Sequence, residues 1–97
     1  MLVKMNCPIT TTGGTAVPVH DWDATKSIQA VGVSALGTFD IEGCNDNNTW
    51  VKIGSTISGD GITAVTGAYG YLRLNTKSIV GTPVAATVYL TGVRHNG

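Results

Sequence analysis

Thr38-Phe39-Asp40-Ile41-Glu42 is the stretch that decides how this chain folds. Successive side chains of a strand point to opposite faces, so Phe39 and Ile41 share one face and Thr38, Asp40 and Glu42 the other. That is the pattern of a half-buried strand in an antiparallel sheet with one wet face. The same period of two recurs downstream. Leu72 and Leu74 alternate with Tyr71, Arg73 and Asn75, and Ala86, Val88 and Leu90 alternate with Thr87, Tyr89 and Thr91. Trp50-Val51-Lys52-Ile53 puts Val51 and Ile53 together. Phe39, Ile41, Val51, Ile53, Leu72, Leu74, Val88 and Leu90 are therefore the expected core.

Turn chemistry separates these runs. Cys44-Asn45-Asp46-Asn47-Asn48 joins the Phe39 strand to the Trp50 strand, and Asn and Asp tolerate the positive φ of hairpin turns. Ser58-Gly59-Asp60-Gly61 leads into Ile62-Thr63-Ala64-Val65, Thr66-Gly67-Ala68 follows, and Gly81-Thr82-Pro83 opens the last strand. Upstream, Ser27 to Ala35 reads as a strand. Thr15 to Val19 reads as a short edge strand, because Pro18 has no N–H for a ladder. No window keeps apolar residues at helical spacing without Gly or β-branched interruption. Turns recur about every 8–12 residues, as in sandwiches and barrels. The expected fold is all-β: a two-sheet antiparallel β-sandwich of about seven strands, jelly-roll/galactose-binding-like or Ig-like. One domain covers residues 1–97, with 1–26 an N-terminal arm or an irregular segment. Ile9 to Thr15 within it is either a long surface loop or an N-terminal arm lying on a neighbouring subunit.

Composition narrows the function classes. Charged residues make up 12% of the 97, against about 25% in an average domain. Six basic and six acidic residues cancel. The cations Lys4, Lys26, Lys52, Arg73, Lys77 and Arg94 are scattered, whereas nucleic acid and anionic membranes need them clustered. No apolar run is long enough to cross a bilayer. Met1 to Asn6 lacks the long apolar region of a signal peptide, so nothing here points to export by a signal of its own. A weakly charged, Thr-rich surface suits a protein packed against other proteins.

Candidate chemistry is sparse. His20-Asp21-Trp22-Asp23 gathers an imidazole, two carboxylates and an indole, but neighbours on an extended segment point to opposite sides. The reading expects a polar loop here, with Trp22 covering one end of the core. His95, the other histidine, lies close to the C-terminus. No Cys/His spacing matches a zinc site, no Gly-x-Ser-x-Gly elbow occurs, and no phosphate loop opens a helix. Asn45-Asp46-Asn47-Asn48 is rich in oxygen but lacks the acidic alternation and closing Glu of a calcium loop. Catalysis, a cofactor and a metal are not expected. Trp50, directly after a turn, is expected to cap the core. Tyr71 and Tyr89 on outward faces, with Trp22, are the candidate interface or ligand-stacking aromatics.

Phe39-Asp40-Ile41-Glu42-Gly43-Cys44-Asn45-Asp46-Asn47-Asn48-Thr49-Trp50-Val51 resembles a hairpin of small β-sandwich virion proteins of tailed bacteriophages. In that family Gly usually stands at the position of Asn47 and Ser at that of Cys44. Tyr69-Gly70-Tyr71-Leu72-Arg73-Leu74-Asn75 and Val84 to Gly92 are similar to its later strands, and the same arrangement is similar to the discoidin, or galactose-binding-like, sandwich. The resemblance implies a virion structural protein, a capsid decoration (cement) subunit by size, whose partners are the major capsid protein or other virion proteins. Such a subunit is a homo-oligomer or lattice-bound, and its place is the virion, assembled in the host cytoplasm. The alternative it implies is a tail- or head-fibre or carbohydrate-binding module.

Two cysteines without a secretion signal are expected to stay reduced as small apolar groups. Thiol titration of the denatured, unreduced protein is expected to count both Cys7 and Cys44; a count of zero would mean that they are bridged.

Overall fold

The alternating segments become strands in the computed structural model, which describes residues 1–94 and leaves His95 outside the described residues. The strands are β1 (Leu2–Met5), β2 (Val17–Pro18), β3 (Trp22–Val31), β4 (Gly37–Cys44), β5 (Val51–Ile57), β6 (Gly61–Thr66), β7 (Tyr71–Ile79) and β8 (Thr87–Arg94). They form two antiparallel sheets, β1-β8-β3-β6 (sheet A) and β2-β7-β4-β5 (sheet B). The pairs β1·β8, β2·β7, β3·β6 and β4·β5 are those of one long antiparallel hairpin. Rolling that hairpin brings β8 beside β3 and β7 beside β4. The result is a jelly roll. An Ig-like sandwich would keep its first two strands in one sheet, whereas β1 and β2 lie in different sheets.

The inner faces supply the core. Ile28, Val65, Val88 and Leu90 of sheet A meet Phe39, Ile41, Leu72 and Leu74 of sheet B, with Val19, Trp22, Val33 and Leu36 closing the ends. Of the expected core residues, Ile53 is only partly buried and Val51 is 62% exposed. Val51 has the right parity but pairs with Gly43, over which Ile53 and the Tyr69 ring already fill the interior. It is left outside them on an edge strand.

Two further expectations need correcting. The Ser27–Ala35 strand stops at Val31, because Gly32 turns left-handed (φ 79°) into a single 3-10 turn at Val33–Ala35. The Asp60 carboxylate anchors that turn by accepting the Val33 N–H at 2.9 Å. Within residues 1–26, Ile9 to Thr15 is a surface loop held against its own chain. β1 pairs with β8 of its own chain, the Gly14 N–H donates to Leu74 O, the Thr76 N–H donates to Thr12 O, and β3 already begins at Trp22. The outer side of β4 is not wet, since Asp40 and Glu42 are 5% and 9% exposed.

Cys7 and Cys44 are both buried free thiols. Cys7 touches Thr76 and Cys44 pairs with Tyr71, points separated by about 17 Å along β7 and far beyond disulfide reach. Burial pushes the Cys7 thiol pKa up, with the Thr76 contact partly opposing it.

Leu74 is fully buried at the centre of sheet B. Leu74→Ala is expected to cost ~2–5 kcal/mol in chemical denaturation, from lost burial and the cavity left behind. A midpoint equal to the parent's would mean that β7 faces the other way.

Candidate functional site

The two outer faces of the sandwich differ in chemistry. On sheet B, Glu42 accepts from Arg73 Nε at 2.8 Å and from Asn75 Nδ2 at 3.1 Å. The guanidinium lies 4.3 Å from the centre of the Trp50 ring, a cation–π contact. Gly13 presses on the same group: a Cβ there would fall 2.6 Å from Arg73 Cζ. Beside them, Lys52 Nζ donates to Thr56 Oγ1, and Thr56 donates to Asp40 at 2.6 Å. Trp50 therefore covers this network rather than the core. Glycine at 13 lets the arm approach so closely.

Sheet A presents another surface. Leu2 and Lys4 of β1, Thr87, Tyr89, Thr91 and Val93 of β8, Ser27, Gln29 and Val31 of β3, and Ile62, Ala64 and Thr66 of β6 point outward, by alternation with the buried positions. The registers align them in rows. One row is Leu2-Thr91-Ser27-Ala64 and the next is Lys4-Tyr89-Gln29-Ile62. Lys4 is the one charged side chain in this set. Leu2, Val31, Ile62, Tyr89 and Val93 are large apolar groups exposed on it, Ile62 at 70%. Strand spacing makes the face roughly 15 by 20 Å.

The three candidate aromatics do not converge. Tyr89 is on the outer face of sheet A, Tyr71 half-buried on that of sheet B, and Trp22 is buried in the core beneath Gly92. Trp22 also contributes to a cleft of about 530 Å³ between the β1 and β2 edges, together with Asn6, Val17, Pro18 and Arg94. Arg94 pairs with Asp21 at 2.9 Å across its end. His20-Asp21-Trp22-Asp23 thus divides among a turn (His20, Asp21), the core (Trp22) and the exposed start of β3 (Asp23).

Lys26 points inward from β3 and donates to the carbonyls of Asp23, Ala24 and Gly67 at 3.3, 2.8 and 3.0 Å. Burial holds its pKa below the ordinary lysine value. Asp46 accepts the N–H groups of Asn48 and Thr49, which lowers its pKa and closes the β4–β5 turn with Asn47 at φ 56°. Its carboxylate is therefore employed in the turn. Among the described residues no group of three or more His, Cys, Asp and Glu could hold a metal, and no helix is long and apolar enough to cross a membrane.

Comparison with protein-family models, characterised proteins and solved structures finds no match to this chain.

The sequence reading missed both the Glu42–Arg73–Trp50 cluster and the uncharged face. The signal for the face was present: the outward residues of the last strand, Thr87, Tyr89, Thr91 and Val93, carry no charge. Glu42→Ala strands a mostly buried guanidinium and is expected to cost roughly 3–5 kcal/mol, towards the lower end because Arg73 keeps 23% of its side chain exposed. Glu42→Gln should cost less in the same denaturation measurement, since it keeps one acceptor.

Proposed function

We propose that this chain is a non-enzymatic structural protein of a tailed-phage virion, a capsid decoration subunit that docks on the assembled coat and stabilises it. The observation that carries the reading is the outer face of sheet A, where exposed Leu2, Val31, Ile62, Tyr89 and Val93 sit among uncharged Thr, Ser and Gln. Large apolar groups gathered on one nearly uncharged sheet face support a site of protein contact. Depletion of charge is the compositional sign of an interface centre. The jelly roll supports the reading by analogy, since viral capsid domains use it, although lectins do as well. Its partners are then the major capsid protein or another virion protein, and its place is the particle.

The fibre or carbohydrate-binding alternative has its own support in the cleft beside Trp22, where Asn6 and Arg94 flank an indole within a volume suited to a small ligand.

Particles lacking the protein are expected to rupture more readily on heating or osmotic shock. Added protein should restore resistance and saturate at a ratio fixed by lattice symmetry, because binding the assembled state alone stabilises that state. Gln29→Glu and Thr91→Glu should change the subunit's own stability by no more than about 0.5 kcal/mol, yet abolish binding by burying an unpaired charge. A few copies confined to the tail, or binding unaffected by both substitutions, would refute docking through this face.

A further inference from the structure

Each sheet ends in two edge strands, and an edge offers unpaired N–H and C=O groups to any strand that approaches. Three of the four edges carry a guard. β1 is four residues long with Lys4 near its middle, and β2 is two residues ending in Pro18. β5 carries Lys52 and an irregularity opposite Phe39 to Ile41, where Gly54 turns to φ 70°. β6, Gly-Ile-Thr-Ala-Val-Thr, pairs with β3 along one side in unbroken register from Gly61 to Thr66 and has no charge, proline or bulge.

We propose that the free edge of β6 pairs antiparallel with the same edge of a second copy of this chain. Several observations select a second copy. A strand without charge meets no like charge when it faces itself, and the chain as a whole is neutral. Directly opposed residues of an antiparallel pair must share a face, so a twofold axis passes through Thr63 or Ala64, placing Ile62 opposite Ala64 or Thr66 of the second copy. Either register unites the two outer faces of sheet A into one eight-stranded surface. Each copy has only one unguarded edge, so pairing closes at a dimer instead of propagating into a fibre.

The pairing also suits docking, and this part of the argument rests on the proposed function. One face of roughly 300 Å² is well below the ~800 Å² per partner of a stable interface. Two faces side by side double it.

The test uses the purified chain in solution without particles, so its outcome is independent of whether the chain decorates a capsid. Sedimentation is expected to give a concentration-dependent monomer–dimer equilibrium. Hydrogen exchange at the outward-directed β6 amides should slow as concentration rises, while β1 amides stay unchanged. Ala64→Lys places a charge on an exposed position beside its counterpart and should weaken association by roughly tenfold or more. Ile62→Lys serves the same purpose should Ala64→Lys misfold. Val93→Lys, on the same outer face but away from the β6 edge, should leave association unchanged. A chain that stays monomeric at every concentration overturns the proposal. So does a dimer that survives the lysines on β6 but is lost with Val93→Lys, because the copies would then stack face to face.

Discussion

Two carboxylates on the second strand from the edge of sheet B constrain the rest of the molecule. Phe39 and Ile41 drive β4 into the core, and strict alternation then sends Asp40 and Glu42 to the outer side. There they are buried, so each must be paired and hydrogen-bonded or the strand could not hold its place. Glu42 draws Arg73 and Asn75 from β7, and Asp40 draws Thr56 from β5. Arg73 in turn requires cover, supplied by the Trp50 ring and the Gly13 backbone. The N-terminal arm thus lies where it does partly because a guanidinium beneath it needs a lid. One face of the sandwich is taken up by this network, and the outer face of sheet A carries the exposed apolar groups instead.

Residue periodicity made the strands, most of their turns and most of the core legible. Leu72 and Leu74, Val88 and Leu90, and Phe39 and Ile41 all face inward as alternation requires. Parity specifies a face but not a position along it, so Val51 looked buried and is not. It also says nothing of what lies over the outer face. Asp40 and Glu42 look solvated in a local reading, because their partners, Thr56 for Asp40 and Arg73 and Asn75 for Glu42, come from neighbouring strands. The end of β3 was legible in principle: Gly32 interrupts an apolar run at the point where the chain needs a positive φ. Strand order was not, since β1·β8 and β2·β7 pair the ends of the chain, where no local signal distinguishes a jelly roll from other two-sheet arrangements.

The candidate site was half legible for the same reason. Alternation put Tyr71 and Tyr89 on outward faces, and it could not reveal that these faces belong to opposite sheets. Once they separate, the two rings cannot form one shared stacking platform. Tyr89 gains a different setting, between Lys4 and Gln29 in a row that runs across all four strands to Ile62. The clustering of exposed apolar groups on one surface is a property of the fold, built from residues contributed by β1, β3, β6 and β8.

The composition of that surface also limits what can meet it. With Lys4 as the one cation among its described residues, it offers little counterion release to a polyanion, which argues against nucleic acid on this side. Its hydroxyls and amides, at Thr87, Thr91, Ser27 and Gln29, lose hydration on docking and need partners in return. A purely hydrocarbon surface would leave them unsatisfied, and a highly charged one would bury charge against Val93 and Ile62. The complementary surface is therefore mixed: apolar patches interleaved with neutral hydrogen-bonding groups, the make-up of an ordinary protein surface. Under the proposed function, such a face would gain little from a single copy and much from repetition, because each additional docked unit adds contacts. Under that same proposal, this is the physical reason a weakly charged, glycine-rich jelly roll would suit a repeating lattice.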